Sequence, residues 1–137
     1  MNNLDNFVKK LRNSGLRPTK QRIKICEVLF TPEKTFHFTI SDLVKKIQSK
    51  AEKKISLATV YNTVRAFVNK SYLKEISINS KESYFDTNIT AHHHFYDEDK
   101  NELIDINNNE VESFKIKKNI PGKKINSVEV LCRISEK

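Results

Sequence analysis

The chain's 137 residues, 37 % of them apolar, suffice for one ordinary domain or two small ones with a core, so folding needs no covalent staples. Cys26 and Cys132 lie far apart and form no C-x-x-C pair, which argues against both a disulfide framework and a structural thiolate zinc site and fits a reducing compartment. The net charge of +8 is unevenly divided: 16 Lys and Arg against 6 Asp and Glu through Ile76, then 9 against 11 from Ser77 onward.

A basic part joined to a mildly acidic one implies that the first meets a polyanion while the second does something else. No apolar run approaches the roughly 20 residues of a spanning helix, and the start MNNLDNFVKK lacks the apolar stretch of a signal peptide. A soluble, cytoplasmic protein without a membrane partner is therefore expected.

In chain order, LDNFVKKL (4–11) is the first helix expected, followed by the breaker SGLRP. Thr19 caps a second helix, KQRIKICEVLF, whose Ile23, Cys26, Leu29 and Phe30 recur at helical spacing and place Cys26 in the core. Thr39 and Asp42 form a capping box that opens a third helix with Leu43, Val44 and Ile47 on its inner face. Ser56 opens a fourth, SLATVYNTVRAFVNK, in which Val60, Val64, Phe67 and Val68 make one packed stripe.

At about 100° per residue, Asn62 falls nearly opposite that stripe. Thr59 and Arg65 lie on the outward half, and Tyr61 sits at its margin. These are groove-reading side chains: Asn pairs with adenine, Arg with guanine, and Thr or Tyr touches thymine methyls or phosphates. YLKEISI (72–78), a turn through NSKE and SYFD (83–86) then predict a β-hairpin, with Lys81 in reach of a phosphate backbone. Helix, recognition helix and hairpin in that order describe a winged helix-turn-helix. Arg17, Thr19, Lys20 and Arg22 in GLRPTKQR, with Ser56 ahead of the recognition helix, complete the expected DNA-contacting set.

Beyond Asp86 the pattern changes to short strands, HHFY and ELIDI (102–106), then a helix-like EVESFKIKK and a last strand, NSVEVLCRI. The whole is an α+β chain: a winged-helix DNA-binding domain over 1–87, a hinge at 88–91 and a small α/β dimerisation and sensing domain over 92–137. So small a second module is hard to stabilise alone, and a homodimer is expected.

Three of the four histidines stand together in TAHHHFYDED, as His92, His93 and His94. On an extended strand His92 and His94 share one face and His93 takes the other, so one ion cannot easily bind all three. Haem iron needs only one or two of these imidazoles in an apolar setting such as Phe95 and Tyr96. Divalent iron, manganese or zinc instead takes mixed imidazole and carboxylate oxygen. A solvated loop at a domain junction would also carry such histidines.

The winged helix built on GLRPTKQR and SLATVYNTVRAF, the histidine cluster and the small module after it resemble the ferric uptake regulator family over nearly the whole chain. ISLATVYNTV, SYFDTN, HHHFYDEDKNELIDI and the missing C-x-x-C pairs are most similar to its iron response regulator branch, known for haem-linked control. The resemblance implies a dimeric transcription factor for iron or haem genes that binds a double-stranded operator, with haem or a divalent metal as its signal. Carried over by position, its regulatory metal site implies His37, Asp86, His94, Tyr96 and Asp105, with Tyr96 in place of a second cluster histidine and Asp86 in place of a glutamate. Haem binding would rest on His92, His93 and His94, because Cys26 is followed by Glu27 and no Cys-Pro motif is present. Of a second metal site only His93 and Glu112 match; Phe95 stands where a carboxylate is expected.

Two other readings are a regulator that senses divalent iron, manganese or zinc without haem, and a small metal-dependent hydrolase. The sequence gives the hydrolase no second histidine pair, no Gly-rich phosphate loop and no nucleophile beside a base, so a non-enzyme is expected.

Overall fold

The computed structural model describes residues 2–49 and 53–137, and none of their helices is long and apolar enough to cross a membrane. The chain divides into two compact units, Met1–Ile89 and Thr90–Lys137. The first holds helices α1 (Asn3–Asn13), α2 (Lys20–Phe30), α3 (Ile40–Gln48) and α4 (Leu57–Asn69) and strands β1 (His37–Phe38), β2 (Lys74–Ser77) and β3 (Ser83–Asp86).

Local chemistry sets the helix ends. Thr19, Thr39 and Ser56 each accept a hydrogen bond from a backbone N–H of the first turn, and Thr39 and Asp42 form the reciprocal box expected from sequence. At the far ends of α1 and α4 the chain closes in the same way: Gly15 and Leu16 donate back to Arg12 and Leu11, and Ser71 and Tyr72 to Val68 and Phe67. Both turns need a left-handed residue; Gly15 takes it freely at φ 79°, whereas Ser71 takes it at φ 62° with a Cβ.

The helices bury one continuous core. Leu11, Ile25, Leu43, Ile47, Val60, Val64 and Phe67 have no exposed surface, and Phe67 meets the rings of Phe30 and Tyr72 edge-on. Cys26 belongs to this core, and burial pushes its thiol up to about 12, keeping it neutral. The hairpin β2–β3 is extended by β1 into an antiparallel sheet of order β1-β3-β2. This is the winged helix-turn-helix; strand β1, only two residues long, is the element that the sequence did not announce.

The second unit is a sheet of order β5-β4-β6, built from β4 (His93–Asp97), β5 (Glu102–Ile106) and β6 (Leu131–Ile134). β4 runs antiparallel to β5 and parallel to β6. Asp97 accepts from the backbone of Asp99 and Lys100 to fold the β4–β5 turn. The expected helix over EVESFKIKK does not form: a 3₁₀ turn at Asn108–Glu110 is followed by residues without regular structure. Ile116 falls off the i, i+3 stripe of Val111 and Phe114, Lys115 and Lys118 would repel at i, i+3, and so short a helix is marginal without a packed face. The last strand is likewise shorter than its alternating pattern, since its ladder with β4 begins only at Leu131, opposite His94.

Candidate DNA-contacting surface and metal centre

All nine residues expected to touch DNA lie in the first unit. Arg17, Thr19, Lys20, Ser56, Tyr61 and Asn62 are exposed, while Arg22, Thr59 and Arg65 are half-buried. On α4, burial of Val60, Val64 and Phe67 turns Tyr61 and Asn62 outward, and Tyr61 is 47 % exposed. Thr63 joins the buried stripe, its hydroxyl donating to the Thr59 carbonyl at 2.7 Å. Arg22 donates to the carbonyl of Arg17 at 3.0 Å, which ties the turn before α2 to that helix. Lys81 is exposed in a hairpin turn that Asn79 closes by accepting from the Lys81 N–H.

Arg65 is differently placed. Its guanidinium is held bidentately by Glu75 on β2, a residue the sequence reading did not single out. The hydrogen bonds from Arg65 hold the Glu75 carboxyl below the usual carboxylate range, and the same bonds raise Arg65. No spacing rule links the two, since they meet across separate elements.

In the sheet of the second unit, alternation divides the histidine cluster. His92 and His94 have ring centroids 4.3 Å apart, while His93 accepts from the Val130 N–H at 2.9 Å and packs edge-on against Phe114. Asp105 lies opposite His94 in the β4–β5 register, its Oδ1 3.1 Å from His94 Nε2 and 3.5 Å from His92 Nε2. Each of the three offers a ligand atom within 4.8 Å of the others. Both imidazoles are buried, at 8 % and 3 % exposure, whereas the Asp105 side chain is 56 % exposed.

The donor set fits a divalent ion. His92 Nδ1 is 2.7 Å from the Thr90 carbonyl oxygen, so Nε2, 3.5 Å from Asp105 Oδ1, is the ring nitrogen on the side of the carboxylate. Two imidazole nitrogens and a carboxylate oxygen suit iron, manganese or zinc, and the exposed side of Asp105 leaves room for further ligands.

His92 thus enters the metal set, having been read from sequence only as a haem candidate; the i, i+2 spacing was the signal. Tyr96, expected as a ligand, is buried on β4 and its hydroxyl donates to Asn101 at 3.1 Å. Glu112 is exposed, and His93 is engaged elsewhere. In the first unit, His37 on β1 stands opposite Asp86 on β3, and Asp86 accepts from the Asn88 N–H at 2.8 Å. Lys74 flanks Asp86 on its other side; burial lowers the Lys74 amine, and the Asp86 charge partly offsets this.

The first unit defines the chain as a winged-helix protein, and the second adds a sheet with a candidate metal-ligand set to an α+β whole. The sequence matches the ferric uptake regulator family over residues 13–132, and the chain belongs to that family. It is 31 % identical to the peroxide operon regulator of Bacillus subtilis over 74 % of this chain and 68 % of that protein. It is 30 % identical to the peroxide-responsive repressor PerR of Staphylococcus epidermidis over 74 % and 66 %. The chain therefore spans about two thirds of the length of these relatives. Its fold is like that of the ferric uptake regulator from Pseudomonas aeruginosa with manganese, with a TM-score of 0.68 at 21 % identity over 96 % of this chain and 98 % of that one.

Proposed function

We propose that this protein is a metal-responsive transcription regulator, whose first unit binds double-stranded DNA through α4 and whose second unit holds a divalent cation at His92, His94 and Asp105. The observation that carries the reading is the convergence of two buried imidazoles and a carboxylate on one sheet of a winged-helix protein. Family membership and the two regulators named above support the regulatory role. His37 and Asp86 of the first unit are the further ligands that the sequence resemblance implies, and a cation that binds one conformation of the protein better than another shifts the population toward it. Its effect on DNA affinity is then its differential binding free energy, typically about 1–3 kcal/mol. Homodimerisation through the second unit is part of the same reading.

Titration of the metal-free full chain with manganese(II), zinc(II), iron(II) and haem tests the site. One high-affinity divalent ion per chain, lost in His94→Ala with the fold retained, is the expected result. A haem complex with a Soret band that survives the divalent ion and disappears only when His92, His93 and His94 are all changed to Ala would instead establish the haem-linked branch of the family. Equal metal uptake by wild type and His94→Ala removes the proposed site.

A further inference from the structure

Arg65 occupies the outward half of the recognition helix, yet its guanidinium is already committed. Its Nη1 donates to Glu75 Oε1 at 2.8 Å and its Nη2 to Glu75 Oε2 at 3.2 Å, so the planar fork is locked to the wing strand β2. The guanidinium carbon also lies 5.7 Å from the centre of the Tyr61 ring and 5.7 Å from that of Phe85. Phe85 is buried on β3, whereas Tyr61 is 47 % exposed on α4. A stack therefore runs from the core, through one cation, to an exposed phenol ring.

Resting on the DNA-binding reading above, we propose that Arg65 is a positioning residue for sequence readout and not a base reader: clamped by Glu75, it aims Tyr61 and fixes the wing hairpin against α4. Base discrimination then falls to Tyr61 and Asn62. A lysine cannot substitute, because a point ammonium cannot grip both carboxylate oxygens and cover two rings at once.

The sign of the Glu75→Gln effect separates the two roles. Removing a negative charge beside a polyanion, and freeing an arginine to reach it, should tighten DNA binding if Arg65 reads bases. If Arg65 positions Tyr61, the same change weakens binding to the preferred sequence while random duplex is held as well or better.

The probes are a duplex selected from a randomised library by the wild-type protein and a random duplex of equal length. The expected result is a loss of about tenfold in the ratio of selected to random affinity for both Glu75→Gln and Arg65→Ala, with Arg65→Lys failing to restore it. Tyr61→Ala and the Arg65→Ala/Tyr61→Ala double variant should be equal within about twofold, since both remove the same contact. Tighter binding of the selected duplex by Glu75→Gln, or multiplying losses in the double variant, overturns the proposal. Should Arg65→Ala not fold, Glu75→Gln still decides. In the free protein the Tyr61 ring resonances should shift in Glu75→Gln, and unchanged resonances likewise overturn the brace. Wild-type protein without salt-sensitive duplex affinity defeats the DNA reading itself, a failure visible before any variant is made.

Discussion

In the first unit four helices, each capped by a side chain, close over a core in which Leu11, Ile25, Val60, Val64 and Phe67 lose all exposure. In the second, the buried apolar residues are Tyr96, Leu103 and Ile106, while Ile104, Phe114, Ile116, Ile120 and Ile125 stand 41 % to 63 % exposed. The first unit therefore buries a broad apolar core, although Leu4, Leu57, Tyr61 and Ile89 remain exposed on it. The second has a much thinner core, and a module of this size gains stability from any ligand or partner that binds its folded form. Under the proposed function that asymmetry suits a sensor, with the well-packed unit reading DNA and the thinner one responding to occupancy.

The largest expected effect tests the core of the first unit. Phe67→Ala should cost about 3–5 kcal/mol in urea unfolding, whereas Phe114→Ala in the second unit should change stability by no more than about 0.5 kcal/mol. Similar costs at the two positions would erase the contrast between the units. Next comes the ligand: a divalent ion at about a hundred times its Kd should stabilise the second unit by about 2.7 kcal/mol, read as slower hydrogen exchange in β4 and β5. Helices α1 to α4 should gain less, and His94→Ala should gain nothing.

A smaller effect lies in the acid limb of stability. Glu75 is held below the usual carboxylate range chiefly by its hydrogen bonds from Arg65, so the folded state binds fewer protons there than the unfolded chain. Its contribution, about 0.5–1 kcal/mol for a partly exposed pair, is present above the unfolded carboxyl pKa of about 4.3 and is lost as pH falls through the lower folded value. Glu75→Gln should therefore lower stability at pH 7 and flatten its fall below about pH 4.5. The smallest is local: Ser71→Gly should stabilise the first unit by a few tenths of a kcal/mol up to about 1, because the turn after α4 demands a left-handed residue and Ser71 supplies it with a Cβ.

What was legible in the sequence follows the same division. Thr19, Thr39 with Asp42, and Ser56 are caps because of chemistry within three residues, so α2, α3 and α4 could be read with their starts. The hairpin β2–β3 was equally local. Strand β1 was not, since two residues become a strand only by pairing with Phe85 and Asp86, far along the chain. Alternation on a strand separated His93 from His92 and His94 correctly, but the pairing of His94 with Asp105 needed the β4–β5 register, and Arg65 with Glu75 needed the wing folded beside α4. The helix misread over EVESFKIKK shows the converse: composition favoured a helix, and no packed face exists to hold one.

The most direct test of the regulatory account is DNA affinity measured with and without the divalent ion, at one fixed salt concentration, on the duplex selected by the wild-type protein. The account predicts that the ion changes wild-type affinity by about 5- to 150-fold. It further predicts that His94→Ala binds the duplex as the metal-free wild type does, whatever the ion concentration. An ion effect of equal size in His94→Ala and wild type, or none in either while the ion is bound, would contradict it.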